Sequence, residues 1–292
     1  MNQPPLAFWK MHGAGNDFVV AATDDAGTPD EVWGALAVEV CDRHMGVGAD
    51  GLILVMPSTA ADRKMRIFNA DGSDGVMCVN GIRCFTKYAL DRALVEAPDG
   101  RMTVETGPGI VPVEALRNAD GLVERVRVTV GRPDLDPGAS GVSVEQAAPV
   151  LDLPVTVGDA QGESTQRVAI VSMGNPHAVQ FIDEPPASYP LDRIGPLMEH
   201  HPLFAQRTNY EVVQVVDRAH LDMRVWERGV GETMACGSGA CASVVAAQLR
   251  GDVDSRVAVR VPGGTLDIEW NGHDEVVLTG PVVRVFESEW QR

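Results

Sequence analysis

Lysine is nearly missing from this chain of 292 residues: Lys10, Lys64 and Lys87 stand against 21 arginines. None of the three lies in a context that marks a Schiff-base residue, which weighs against pyridoxal phosphate chemistry. Basic charge as a whole is short, 24 Lys and Arg against 41 Asp and Glu, for a net charge of −17. So acidic a surface aids solubility and argues against nucleic acid or an anionic membrane as partner. No apolar run approaches the ~20 residues that span a bilayer. The segment MNQPPLAFWK lacks the charged stretch and apolar stretch of a signal peptide. Cysteine is sparse and odd in number: Cys41, Cys78, Cys84, Cys236 and Cys241. Together these predict free thiols in a reducing compartment and a soluble, cytoplasmic protein. A Cys-x-x-Cys pair is missing, and Cys78 and Cys84 lack the short spacing of a zinc knuckle, so neither a redox pair nor a metal is expected. The length suggests two domains, each able to bury a core.

What is present is a repeated idea. Met77-Cys78-Val79-Asn80-Gly81-Ile82-Arg83-Cys84 and Ala235-Cys236-Gly237-Ser238-Gly239-Ala240-Cys241 each set a cysteine before a glycine-containing turn at the start of a helical pattern. A thiol there faces unpaired backbone N–H groups and the positive end of the helix dipole, which favour thiolate. Cys41, Cys84 and Cys241 fall inside or at the end of helical patterns and read as small buried apolar residues.

Thr28-Pro29-Asp30-Glu31 opens a helix that runs to about Cys41, and the helix after Cys78 carries Ile82, Phe85, Ala89 and Ala93 on one face. Gly51 to Met56, Lys64 to Asn69, Met102 to Glu105, Ile110 to Leu116 and the Val123–Val130 alternation read as strands. A Pro-, Gly- and Ser-rich loop covers Arg132 to Gly141. Ala169 to Ser172 and Arg224 to Trp226 read as short strands, Ala240 to Leu249 as a helix of small residues stopped by Gly251. Val257 to Val261 and Leu266 to Trp270 flank a hairpin turn at Pro262-Gly263-Gly264, and a last strand spans Val276 to Phe286. The fold class is α+β, with a weak internal duplication in which each half wraps sheet around one cysteine-headed helix.

Two thiols, one from each half, suit the transfer of a proton from one face of a carbon to the other. An α-carboxylate seated against the N–H groups of Val79, Asn80, Gly237 and Ser238 would gain enediolate character as the α-proton leaves. Four asparagines stand on turns: Asn16 in MHGAGNDF, Asn69 in RIFNADGS, Asn175 in SMGNPH and Asn209 in RTNYE. Asn in such turns commonly serves its own backbone, but four of them beside the Glu227-Arg228 pair suit a zwitterionic amino acid. Gly46 to Asp50 has neither the glycine spacing nor the βαβ setting of a phosphate loop.

With these segments assembled, the chain resembles the diaminopimelate epimerases. KMHGAGNDFVV, CDRHMGVGADGL, RIFNADGS, MCVNGIRCF, SMGNPHAV, RTN and RVWERGVGETMACGSGACA stand in that family's order over nearly the whole chain. The resemblance implies an enzyme that needs no pyridoxal phosphate or other cofactor and interconverts LL- and meso-diaminopimelate for lysine and peptidoglycan precursor synthesis. It implies two pseudo-symmetric domains, each a mainly antiparallel sheet around a central helix, with the active site in the interdomain cleft. Residues 1–122 and 277–292 would form the domain carrying Cys78, and 123–276 the domain carrying Cys236. By matching position, Cys78 and Cys236 would be the acid/base pair, with His177 and Glu227 assisting proton removal from the thiols. Asn16, Asn69, Asn175, Asn209, Glu227 and Arg228 would hold substrate side groups, and Val79, Asn80, Gly237 and Ser238 the α-carboxylate. A homodimer is implied, and a small-molecule substrate. Val79 stands where the family's motif has Gly: a β-branched residue is disfavoured if the turn needs φ > 0, and tolerated in an ordinary helix-start conformation. Proline or hydroxyproline racemases, which share the thiol chemistry, and a non-catalytic amino-acid binding protein of the same fold are the alternative readings. A cysteine hydrolase is a weaker one, because His177 lacks a clear third member.

Overall fold

In a computed structural model that describes residues 5–25, 27–75 and 77–291, the chain divides into two compact units, Met1–Thr129 with Thr279–Arg292, and Val130–Leu278. Four α-helices occur among the described residues: α1 (Asp30–Cys41), α2 (Val79–Asp91), α3 (Leu191–Glu199) and α4 (Gly237–Leu249). None is long and apolar enough to cross a membrane.

In the first unit the strand Val283–Trp290 pairs antiparallel with Leu6–Gly13, which turns back into Asn16–Ala22. Asn16–Ala22 runs parallel to Gly51–Met56, which pairs antiparallel with Arg63–Asn69. Arg63–Asn69 is parallel to Arg101–Glu105, and the antiparallel strands Ile110–Arg117 and Val123–Gly131 complete the order. The period-2 alternation of strands divides these residues between two cores. Val19, Ala21, Leu52 and Leu54 point to one face, with Trp33, Ala37 and Val40 of α1. Phe18, Val20, Ile53 and Val55 point to the other, with Ile82, Phe85, Tyr88 and Ala89 of α2.

The second unit repeats the plan. Gly162–Ser172 turns back into Pro176–Phe181, which is parallel to Asn209–Asp217. Asn209–Asp217 pairs antiparallel with His220–Glu227, which is parallel to Arg256–Val261, and Gly264–Glu269 follows antiparallel. In both units the first helix joins the two parallel strands, and the second, cysteine-headed helix precedes the second parallel pairing. The duplication inferred from two short motifs is therefore a duplication of topology. Leu153–Asp159, antiparallel to Gly162–Ser172, takes the place that Val283–Trp290 takes beside Leu6–Gly13 in the first unit.

Both cysteine-headed helices are enclosed. In α2 every residue from Val79 to Leu90 is buried, including Arg83 and Lys87. Lys87 donates to Asp91 (2.7 Å) and to the Val123 carbonyl (2.6 Å), so its charge is compensated. In α4 only Ser238, Gln248 and Leu249 escape full burial, and the run of Gly, Ala, Ser, Cys and Val gives the sheet close access on all sides. A helix apolar all round is a buried helix.

Several expected boundaries move. Ala93 is not on the buried face of α2: the helix ends at Asp91, and Ala93 is exposed with φ 53°. Pro29, not Thr28, occupies the N-cap position of α1, without a side-chain cap bond. Ala169 to Ser172 is the end of an 11-residue strand. The last expected strand is two, Val276–Pro281 and Val283–Trp290, parted at Val282, whose N–H bonds the Glu124 carbonyl. Leu191–Glu199 and the strand Asn209–Asp217 were not foreseen; the first carries Pro196 and so does not read as a helix.

Candidate active site

In the first unit, the tight hairpin Gly13-Ala14-Gly15-Asn16 places Asn16 at the start of a strand. Ala14 (φ 55°) and Gly15 (φ 87°) both take the left-handed conformation that such a two-residue turn demands. Cys78 is the N-cap of α2, in an extended conformation, and its Sγ accepts a hydrogen bond from the Gly81 N–H at 3.4 Å. The Cys78 Sγ lies 3.5 Å from Asn16 Oδ1, which also accepts from Asn80 Nδ2 at 3.2 Å. The other end of the Asn16 amide donates to Asp50 Oδ2 at 2.6 Å. Asp50 in turn holds Arg43 (2.7 Å), which reaches Asp17 (2.8 Å), and Asp17 is paired with the buried Lys10 (2.5 Å). The KMHGAGNDF and CDRHMGVGAD segments are thus two sides of one charge network behind Asn16. Burial by itself would raise the Asp17 carboxyl, but the hydrogen bonds from Arg43 and Lys10 outweigh it and hold the group down at about 2.

Asn69 lies at the far end of its strand, opposite Gly51, and is exposed. Its amide donates to Ser73 Oγ at 2.9 Å, within the same turn. Val79 is the first residue of α2, and its φ is not among the left-handed ones. The position therefore does not require glycine, and the β-branched side chain sits without backbone strain.

In the second unit, Cys236 is the N-cap of α4, again extended, with Sγ accepting from the Gly239 N–H at 3.4 Å. The N–H groups of Gly237 and Ser238 make no hydrogen bond to protein among the described residues. Ser238 Oγ lies 3.5 Å from Cys236 Sγ and accepts from Asn175 Nδ2 at 3.3 Å. Asn175 follows Gly174 (φ 87°) in the turn that mirrors the Asn16 hairpin. Its Oδ1 is 3.0 Å from Nε2 of His177, whose Nδ1 is 2.7 Å from Glu211 Oε1. His177 and Glu211 are both fully buried.

Glu227 and Arg228 close the strand His220–Glu227. The half-buried Glu227 carboxylate accepts from Thr233. Burial raises its pKa, and the charge of Glu211 adds to that, against the Thr233 bond. Burial pushes the Cys236 thiol well above its ordinary range, and the charges of Glu227 and Glu211 push it further. Both effects favour the thiol form of Cys236 over the thiolate. Burial likewise pushes Cys41 and Cys84 up to about 12, as befits packing residues.

Asn209 stands at the start of the strand Asn209–Asp217. It is 4% exposed; its Nδ2 donates to the Pro176 carbonyl (2.9 Å) and its Oδ1 accepts the Arg228 N–H (2.9 Å). Its side chain ties the Asn175 turn to the Glu227-Arg228 turn. The exposed Arg228 guanidinium donates to the Gln206 carbonyl at 3.1 Å. Glu199, buried at the end of α3, accepts from Trp226 Nε1 and from the Gly229 N–H, both at 2.8 Å, and so anchors that turn from below. Sequence reasoning missed Asp50, Glu199 and Glu211. Asp50 and Glu211 stand inside quoted motifs, and an acid two residues past Asn209, between Tyr210 and Val212-Val213, was the available signal.

Within each unit, Asn69 excepted, the structure therefore gathers the expected groups around the start of its buried helix. Asn16, Cys78, Val79 and Asn80 form one group; Asn175, His177, Cys236, Gly237, Ser238 and, joined through Asn209, Glu227 and Arg228 form the other.

The sequence model of the Diaminopimelate epimerase family matches residues 8–135 and 169–285 of this chain. Curated proteins named diaminopimelate epimerase are similar over almost their whole length. The Moorella thermoacetica protein is 47% identical, covering 98% of this chain and 99% of that protein. The Acetivibrio thermocellus protein is 46% identical, covering 97% and 98%. The fold is also that of a PhzF-family phenazine biosynthesis protein from Bacillus anthracis (TM-score 0.70, 18% identity, 99% and 100% covered). A hydroxyproline epimerase from Agrobacterium vitis, solved with trans-4-hydroxy-L-proline, shares it too (TM-score 0.70, 17% identity, 100% and 94% covered).

Proposed function

Because the chain belongs to the diaminopimelate epimerase family, we propose that it converts LL-2,6-diaminopimelate to the meso isomer through two cysteines, without pyridoxal phosphate. One thiolate takes the α-proton from one face of the carbon, and the other residue, as thiol, delivers a proton to the opposite face. The electron pair left on carbon passes into the α-carboxylate as enediolate character until the second proton arrives. The observation that carries this reading is the matched pair of N-cap cysteines, each with its Sγ held by the N–H three residues on, at 3.4 Å. The N-terminus of each helix offers N–H groups and the positive end of a dipole to the developing negative charge.

In this reading Cys236 starts as the thiol and Cys78 as the acceptor for the first proton. Glu227, whose carboxyl burial raises, is suited to exchange a proton with Cys236 when the direction reverses. His177 stands behind it through Asn175 and Ser238. Asn16, Asn69, Asn175 and Arg228 would hold the amino and carboxylate groups of substrate, and Asn209 would shape the turns that present them. The reading extends to a cytoplasmic homodimer serving lysine and peptidoglycan precursor synthesis.

The test is proton exchange. Reduced protein is incubated with LL-diaminopimelate in D₂O without pyridoxal phosphate, and the α-proton is followed by NMR with stereoisomer analysis. Deuterium uptake with formation of the meso isomer, lost in Cys78→Ala and in Cys236→Ala, is expected. No exchange with diaminopimelate, together with exchange of trans-4-hydroxy-L-proline, would overturn the substrate in favour of the imino-acid reading.

A further inference from the structure

From a fully buried carboxylate, a continuous chain of polar contacts leads to a reacting thiol. Glu211 Oε1 is 2.7 Å from His177 Nδ1, and His177 Nε2 is 3.0 Å from Asn175 Oδ1. Asn175 Nδ2 donates to Ser238 Oγ at 3.3 Å, and Ser238 Oγ is 3.5 Å from Cys236 Sγ. Glu211 approaches the thiol by a second route. A Cβ placed on Gly239 would meet Glu211 Oε1 at 2.6 Å and Cys236 Sγ at 3.3 Å, so only the bare Cα of that glycine separates them.

The orientations along the chain place its protons. Ser238 takes the Asn175 NH₂, which turns Asn175 Oδ1 toward the imidazole. An amide oxygen can only accept, so Nε2 of His177 carries a hydrogen. The other ring nitrogen faces a carboxylate oxygen at 2.7 Å, and that contact needs a hydrogen of its own. The second oxygen of Glu211, Oε2, is buried without a hydrogen-bond partner. A carboxylate buried in this way costs free energy unless a partner compensates it, and His177 is the partner that its strand neighbour supplies.

We propose that Glu211 is a positioning residue for the Cys236 half of the site. It holds a proton against Nδ1 of His177, so that both ring nitrogens carry hydrogen, and through His177 and Asn175 it fixes Ser238 beside the thiol. The inference rests on the reading of Cys236 as a reacting thiol. It adds to that reading the group that sets the orientation of His177, and it accounts for Gly239, where any side chain would displace the carboxylate.

Long-range ¹H–¹⁵N spectra of the histidine rings in ¹⁵N-labelled full-length protein near neutral pH test this, with His177 assigned through His177→Gln. Two N–H groups on the His177 ring are expected in the unsubstituted protein. A ring with a hydrogen on one nitrogen only would overturn the proposal, whether or not any variant folds. Glu211→Gln keeps the shape and removes the charge. It is expected to change the His177 pattern and to lower kcat by about tenfold or more, with KM moved far less. A His177 pattern and a kcat that both stay unchanged in Glu211→Gln would also overturn it. The ring spectrum is read without substrate, so a failure of the epimerase reading is recognised separately, as absent deuterium uptake in the unsubstituted protein.

Discussion

Asp50 decides which end of the Asn16 amide faces the thiol. Its Oδ2 takes the Asn16 NH₂ at 2.6 Å and leaves Asn16 Oδ1 3.5 Å from Cys78 Sγ. Asp50→Ala removes the acceptor for the Asn16 NH₂ and leaves the amide oriented through Asn80 alone. A hydrogen bond to a charged group is worth about 1.5–3 kcal/mol, so kcat/KM is expected to fall by about 10- to 100-fold. Because Asp50 is 42% exposed at its side chain, the melting temperature is expected to change little. A kcat/KM within twofold of the parent would show that the amide is held by other means.

Glu227→Gln removes a negative charge that raises the Cys236 thiol. The pH midpoint for alkylation of Cys236 by iodoacetamide, read by peptide mass, is expected to move down. The sign follows from like-charge repulsion: the carboxylate disfavours thiolate, and its loss favours it. The same substitution is expected to lower kcat, since the group suited to exchange the Cys236 proton is gone. An upward or absent shift in the midpoint would contradict the electrostatics of the site.

Gly239→Ala would bring its methyl to 2.6 Å from Glu211 Oε1. Overpacking of this kind costs about 1–3 kcal/mol, and thermal unfolding is expected to show it. Activity is expected to fall with it, since both the carboxylate and the Cys236 side chain flank the added carbon. A variant with the parent's melting temperature and rate would mean that the helix start relaxes freely.

Asp17 provides a pH signature of folding. Its folded-state carboxyl is held at about 2 against an unfolded value of 3.8. A depressed folded value stabilises the native state above the unfolded value, and that contribution is lost as pH falls from near 4 toward 2. Urea unfolding of the parent and of Asp17→Asn should therefore differ by a constant amount above about pH 5 and converge in acid. A difference that grew in acid would reverse the assignment.

Val79→Gly addresses the departure from the family's motif. Val79 begins α2 in an ordinary conformation, so the substitution is expected to destabilise by about 0.5–1 kcal/mol through chain entropy and to leave kcat/KM nearly unchanged. A large rise in kcat/KM would show that the valine methyls crowd the thiol.

The helix-heading cysteines, the hairpin asparagines and most strands of the first unit were legible because each is a local signal: a cap, a turn or an alternation. Harder to read was what depends on partners distant in sequence. Asp50 acquires its role from Asn16, 34 residues away, and Glu211 from His177, also 34 residues away. Asn209 is marked by its motif, but its bonds to the backbone of residues 176 and 228 depend on segments remote from it in sequence. Helix α3 stayed hidden behind Pro196, which its burial against Trp226 overrides: a Cβ on Gly195 would meet that ring at 2.6 Å. The duplication was visible only at its two cysteine turns, because the strands of the repeat are alike in pairing rather than in residues.

The strand Val283–Trp290 lies beside Leu6–Gly13, with Trp290 opposite Leu6. The unit that begins the chain thus needs its end. The strand that closes the edge of Leu6–Gly13 comes from the other end of the sequence, with all of Val130–Leu278 between them. Loss of Val283–Trp290 would leave Leu6–Gly13 with an unpaired edge, so the Cys78 half of the protein is completed only when segments from opposite ends of the sequence meet.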